Sequence, residues 1–132
     1  MWAEAEDGVR VPISLLMRRG QLDGLPAAGR LPPALLFGYG AYGFCTLPEW
    51  DTERLALVDS GFVHAICHPR GGGELGRTWH EDGKAAAKAT TFDDMVACAH
   101  CLIESGLVDP QALAIEGRSA GGLLVGAYLL TD

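Results

Sequence analysis

Ala112-Leu113-Ala114-Ile115-Glu116-Gly117-Arg118-Ser119-Ala120-Gly121-Gly122 is the stretch whose reading decides the fold of this chain. Residues 117–121 spell G-x-S-x-G, with an apolar run before them and a second after them, Leu123-Leu124-Val125-Gly126-Ala127-Tyr128-Leu129-Leu130. A five-residue match of this kind arises by chance in a chain with 18 glycines. The flanking runs are what give it structural meaning. They predict strand, turn and helix in that order, the setting in which the serine sits on a sharp, strained turn and projects its hydroxyl. Gly117 and Gly121 stand where a Cβ would collide as strand and helix cross. The Ala120 N–H falls at the helix N-terminus, where the partial positive charge suits a developing oxyanion.

Working outward, Val9, Val11, Ile13, Leu15 and Met17 alternate after the Asp7-Gly8 turn and predict a strand. Gly20 to Pro33 is a polar, Gly/Pro-rich loop. Ala34-Leu35-Leu36-Phe37 is a short continuous apolar run, the pattern of a strand covered on both faces. The loop Gly38-Tyr39-Gly40-Ala41-Tyr42-Gly43 follows it. Glu53 to Ser60 predicts a short helix with Leu55, Val58 and Leu57 as its inward candidates, and Phe62 to Cys67 a further strand leading into Arg70-Gly71-Gly72-Gly73-Glu74. Phe92 to Glu104 is the clearest helix: Phe92, Met95, Val96, Ala99, Leu102 and Ile103 share a face, Thr91 is placed to cap it, and Asp93 and Asp94 suit its positive end. The alternation of strands and helices predicts an α/β domain with a mostly parallel sheet and helices on both faces. Reactive groups gather at the C-terminal strand ends of such sheets, and the loops starting at Gly38, Pro69 and Gly117 all leave from there.

At 132 residues and 48% hydrophobic content, the chain has the size and composition of one globular domain. A net charge of -7 argues against a nucleic-acid partner, because phosphate binding needs a basic face. The acidic start, Met1 to Asp7, lacks the pattern of a signal peptide, and no apolar run approaches the ~20 residues that span a bilayer. A cytoplasmic location is the expectation. Cys45, Cys67, Cys98 and Cys101 include one C-x-x-C, inside a helical pattern and without a second pair, so they read as free thiols and not as zinc ligands.

Several stretches together resemble the prolyl oligopeptidase family of serine peptidases: Asp7 to Pro12, Tyr39 to Gly43, Arg70 to Gly76, Trp79 to Lys84, Thr91 to Asp94, and the elbow. They occur in family order over nearly the whole chain. Gly38 to Gly43 and Trp79 to Lys84 look most like the oligopeptidase B branch, which cleaves short peptides after Arg or Lys. The resemblance implies an α/β-hydrolase fold, present here as its N-terminal half and cut after the nucleophile helix. It matches Ser119 to the nucleophile and Tyr39 to a tyrosine whose hydroxyl donates to the oxyanion, beside the Ala120 N–H. No cofactor or metal is implied, and the partner is a short peptide substrate.

In the family the catalytic Asp and His follow the serine, in that order, so both are expected beyond Asp132, as are the acidic residues that receive a basic side chain. The propeller domain that gates substrate is expected before Met1. On this reading residues 1–132 are a partial catalytic domain, inactive alone, with Leu113 to Ile115 left as an exposed edge open to self-association. His80, Glu81 and Asp82 are adjacent on one segment and are not expected to replace the missing partners. The alternatives are an esterase or acylaminoacyl peptidase with the same machinery, or a truncated, non-catalytic remnant.

Overall fold

A computed structural model describes residues 1–21 and 29–131, so the middle of the loop expected over Gly20 to Pro33 lies outside the described residues. Five strands form one sheet in the order β1-β2-β4-β3-β5: β1 is Trp2–Glu4, β2 Arg10–Leu16, β3 Ala34–Phe37, β4 Val63–Cys67 and β5 Leu113–Glu116. The helices are α1 (Thr52–Asp59), α2 (Arg77–Glu81), α3 (Lys88–Glu104) and α4 (Ala120–Thr131), and a 3-10 turn over Ala85–Ala87 leads into α3.

The sheet is mixed. β4, β3 and β5 run parallel, in a register that puts Leu36 opposite Ala65 on one side and Ile115 on the other. β1 and β2 are antiparallel, each to its neighbour. The antiparallel start follows from the Asp7-Gly8 turn, where Gly8 donates to the Ala5 carbonyl at 2.8 Å and Ala5 to Val9 at 2.9 Å. A turn this tight returns the chain beside itself, whereas a parallel neighbour needs a crossover. β1, only three residues long, carries no periodicity that the sequence could have shown.

Alternation along the strands sorts the two faces. Ala34, Leu36, Val63, Ala65 and Cys67 lie in the main core with Val11 and Ile13 of β2. Met95, Cys98, Ala99 and Leu102 of α3 and Leu124 and Tyr128 of α4 close over them. The i, i+3, i+4 and i+7 spacing of those α3 positions is why this stretch forms a helix that buries one stripe. The other face carries Leu35, Phe37, His64 and Ile66 beneath α1, whose Val58 is buried. Asp51 caps α1, its side chain accepting from the Glu53 N–H at 2.8 Å.

Three expectations for α3 are corrected. The helix begins at Lys88 and not at Phe92: Lys88 and Ala89 are good helix formers, but no apolar stripe announces the helix there. Thr91 is therefore inside the helix and caps nothing: its buried hydroxyl lies 2.7 Å from the Arg70 carbonyl and 3.0 Å from that of Gly83. Asp93 and Asp94 are correspondingly past the first turn. Asp93 is exposed, while Asp94 is fully buried against Arg70.

Candidate active site

β3 and β5 end side by side, with Phe37 opposite Glu116, and the Gly38 N–H donates to the Glu116 carbonyl at 3.0 Å. The two loops that leave from here carry Tyr39 and Ser119. After β5 the backbone turns sharply: Gly121 N–H bonds to the Arg118 carbonyl at 2.8 Å and Gly122 N–H to that of Ser119 at 2.9 Å, and α4 begins at Ala120. Ser119, inside this turn, has φ +55°. A non-glycine residue in the left-handed region costs ~1–3 kcal/mol and persists only where its surroundings enforce it. Here the enforcing surroundings are the two flanking glycines. A Cβ on Gly117 would run into the Gly121 carbonyl, and one on Gly121 would lie 2.5 Å from the Gly38 carbonyl oxygen and 3.5 Å from the Tyr39 Cα. The same closeness that requires glycine brings the start of α4 against the backbone of Tyr39. Ser119 itself is exposed to solvent.

The Tyr39 loop is held from below. Lys88 of α3 reaches the Gly40 carbonyl at 2.5 Å and Thr91 Oγ1 at 3.1 Å, and burial pushes its ammonium pKa down. The Tyr39 ring meets Phe44 edge-on, with centroids 6.1 Å apart. Tyr42, between them, also has positive φ, at +56°, and is 79% exposed, a second strained residue at the same end of the sheet.

Two ion-pair groups flank the loops, and neither was foreseen from the sequence. Arg54 of α1 grips Glu116 with two hydrogen bonds of 2.6 and 2.9 Å, and Arg118 adds a contact of 3.3 Å from the elbow. The Arg54 guanidinium holds the Glu116 carboxyl below its usual range. Arg70, 5% exposed, bonds to Asp94 through Nε and Nη2 and to Asp7 through Nη1, while its own N–H donates to Asp94 at 2.8 Å. The Arg70 guanidinium depresses the Asp7 carboxyl, and the two carboxylates raise the Arg70 pKa. The clue to this clamp was an aspartate next to Met95 on the apolar face of α3, in a place where a charge must be paired.

The histidines have other engagements. His80 Nδ1 lies 2.9 Å from the Gly71 carbonyl, His68 Nε2 lies 2.8 Å from Ser14 Oγ, and His64 is buried beneath α1, which lowers its pKa. Glu81 pairs with Lys84 at 2.6 Å. Among the described residues no group of three or more His, Cys, Asp or Glu side chains is arranged to hold a metal ion. No helix among them is long and apolar enough to cross a membrane.

The family model for the prolyl oligopeptidase family matches residues 48–132. Protease 2 of Moraxella lacunata is 44% identical over 127 residues, which cover 96% of this chain and 18% of that protein. The human prolyl endopeptidase-like protein is 38% identical over 125 residues, 95% of this chain and 16% of that one. Among solved structures, oligopeptidase B from Trypanosoma brucei with covalently bound antipain superposes with a TM-score of 0.90 at 49% identity, covering 99% of this chain and 18% of that one. The chain thus spans less than a fifth of the length of these relatives. With the elbow, the fold and these matches agreeing, the chain belongs to the prolyl oligopeptidase family of serine peptidases.

Proposed function

We propose that this chain is the nucleophile-bearing part of a peptidase domain that hydrolyses short peptides through an acyl-enzyme at Ser119. The observation that carries the proposal is the +55° φ of Ser119 at a strand–helix junction packed against the Tyr39 backbone. In the proposed reaction the Ser119 hydroxyl attacks the peptide carbonyl while a histidine takes its proton. The Tyr39 hydroxyl and the Ala120 N–H, the first donor of α4, stabilise the charge that develops on the carbonyl oxygen. Water then hydrolyses the ester. The base and its aspartate belong, in this proposal, to chain following Asp132: His68 and His80 are engaged by Ser14 and by the Gly71 carbonyl, and His64 is buried beneath α1, away from the elbow's exposed serine. Cleavage after Arg or Lys is the preference we propose, on the strength of the 49% identity to oligopeptidase B.

A serine without a base is a weak nucleophile. The 132-residue chain alone is therefore expected to leave Arg- and Lys-ended peptide amides intact. Fusing it to the segment that follows the matched region in the Trypanosoma brucei enzyme is expected to restore turnover. In that fusion Tyr39→Phe should lower kcat by ~10²–10³ with KM little changed, as loss of one oxyanion donor does. Full kcat in the Tyr39→Phe fusion would remove Tyr39 from the mechanism. Hydrolysis by the unfused chain would show that a base lies within it.

We further propose that the unfused chain self-associates along β5, which among the described residues pairs with β3 alone, and through Leu123, Leu129 and Leu130 of α4, 62%, 71% and 89% exposed. Gel filtration is expected to show dimers or larger species, and a sharp monomer peak would refute the edge argument. A cytoplasmic location belongs to the same proposal. Localisation of a tagged chain tests it.

A further inference from the structure

Cys67 closes β4 and Cys98 faces it from the middle of α3, and both are fully buried in the core. Their sulfurs are 3.0 Å apart, closer than two non-bonded sulfur atoms ordinarily approach, with both thiols free. A disulfide needs a sulfur separation of ~2.05 Å, so closure requires a shift of about 1 Å shared between two side chains. Neither cysteine has a part in the proposed peptidase chemistry. Their position is nonetheless consequential: Cys67 Sγ also approaches the Asp94 carbonyl at 4.0 Å, one turn of α3 from Cys98, and Asp94 is the residue that clamps Arg70.

We propose that Cys67 and Cys98 are an oxidisable pair that closes to a buried disulfide, tying α3 to β4 beside the Arg70–Asp94 clamp. The co-reactant is a low-molecular-weight disulfide such as glutathione disulfide. One cysteine thiolate attacks it and expels one thiolate, giving a mixed disulfide on the protein. The second cysteine thiolate attacks the protein sulfur of that bond and expels the other. Two cysteine thiols are oxidised, one small disulfide is reduced to two thiols, and the two protons released by the cysteines end on those thiols. In the folded chain burial holds the Cys67 thiol in its protonated, unreactive form and keeps the reagent out, so closure takes place as the chain folds or opens. Once made, the bond is shielded from reductant by the same core.

The test is to dilute the 132-residue chain from denaturant into a glutathione redox buffer, block free thiols under denaturing conditions, and map the peptides by mass. A Cys67–Cys98 linked peptide, lighter by two hydrogens than the reduced pair, is expected, with Cys45 and Cys101 recovered as thiols or glutathione adducts. After refolding, dithiothreitol should reduce the link at least about tenfold more slowly than in denaturant, since reduction requires opening of the core. Cys98→Ser should lose every Cys67 cross-link. The wild-type map decides the question without that variant and does not depend on activity or oligomeric state. Recovery of Cys67 and Cys98 as blocked thiols where Cys45 is fully glutathionylated would overturn the proposal. So would linkage of Cys67 to Cys45 or Cys101, or equal reduction rates in the folded and denatured chain.

Discussion

Ser119 shows how much of a strained site one residue's neighbours must supply. Its +55° φ is held by a crossing so close that a Cβ on Gly121 would come within 2.5 Å of the Gly38 carbonyl oxygen. Gly121→Ala is therefore expected to destabilise the chain by about 1–3 kcal/mol or more, since it forces backbone against backbone. Gly126, also in α4, has open space where a Cβ would go, and Gly126→Ala should instead stabilise by ~0.5–1 kcal/mol by removing glycine's excess unfolded-state entropy. Denaturant unfolding of both variants checks the contrast; equal effects would mean that the crossing is looser than the geometry requires. The strand–turn–helix crossing was legible in the sequence, because G-x-S-x-G stands between two apolar runs that read as strand and helix. The contact of Arg118 with Glu116 was not legible, since Glu116 gave no sign of being bound from α1 by Arg54.

Among the elements, α3 does most to position the site while contributing no proposed catalytic group. Its buried stripe of Met95, Ala99 and Leu102 was readable from helical spacing, and the structure keeps these residues at 0% exposure. Its polar residues were misread for a physical reason: spacing reports which face is buried but not where a helix begins. With the start placed at Phe92, Thr91 became a cap and Asp94 a dipole partner. With the start at Lys88, both move inward and bond to the Arg70 loop, and Lys88 itself supports the Gly40 carbonyl. Asp94→Ala strands the Arg70 guanidinium in the core with only the half-exposed Asp7 as partner, and should cost ~3–5 kcal/mol. Urea unfolding measures it; a loss below 1 kcal/mol would show that Asp7 and water suffice. The strands had a similar split: β3 and β4 followed from apolar runs, while three-residue β1 became visible only through its pairing with β2.

For the whole molecule, the charge distribution sets how the fold answers to acid. Asp7 and Glu116 have pKa values lowered by arginine partners, so the stability they add is present above their unfolded values of 3.8 and 4.5 and is lost as pH falls through that range and below it. His64 acts in the same direction at a higher pH. Its folded pKa lies below the ordinary 6.5, so the unfolded chain takes up a proton first and stability declines as pH drops under 6.5. Unfolding free energy should thus fall in two stages on acidification, and His64→Gln should remove the upper one; a flat profile between pH 6.5 and the carboxylate range would contradict the burial of His64. The sequence revealed the family and the sheet end where the proposed chemistry gathers, in a chain that spans 18% of the length of Protease 2 and of oligopeptidase B. The central claim, that Ser119 is the nucleophile, is tested most directly by substituting this chain for the matching stretch of the Trypanosoma brucei oligopeptidase B and treating the chimera with a fluorophosphonate. The adduct is predicted to map by mass to Ser119 and to disappear in Ser119→Ala, whereas an adduct on another residue, or labelling that survives Ser119→Ala, would contradict the account.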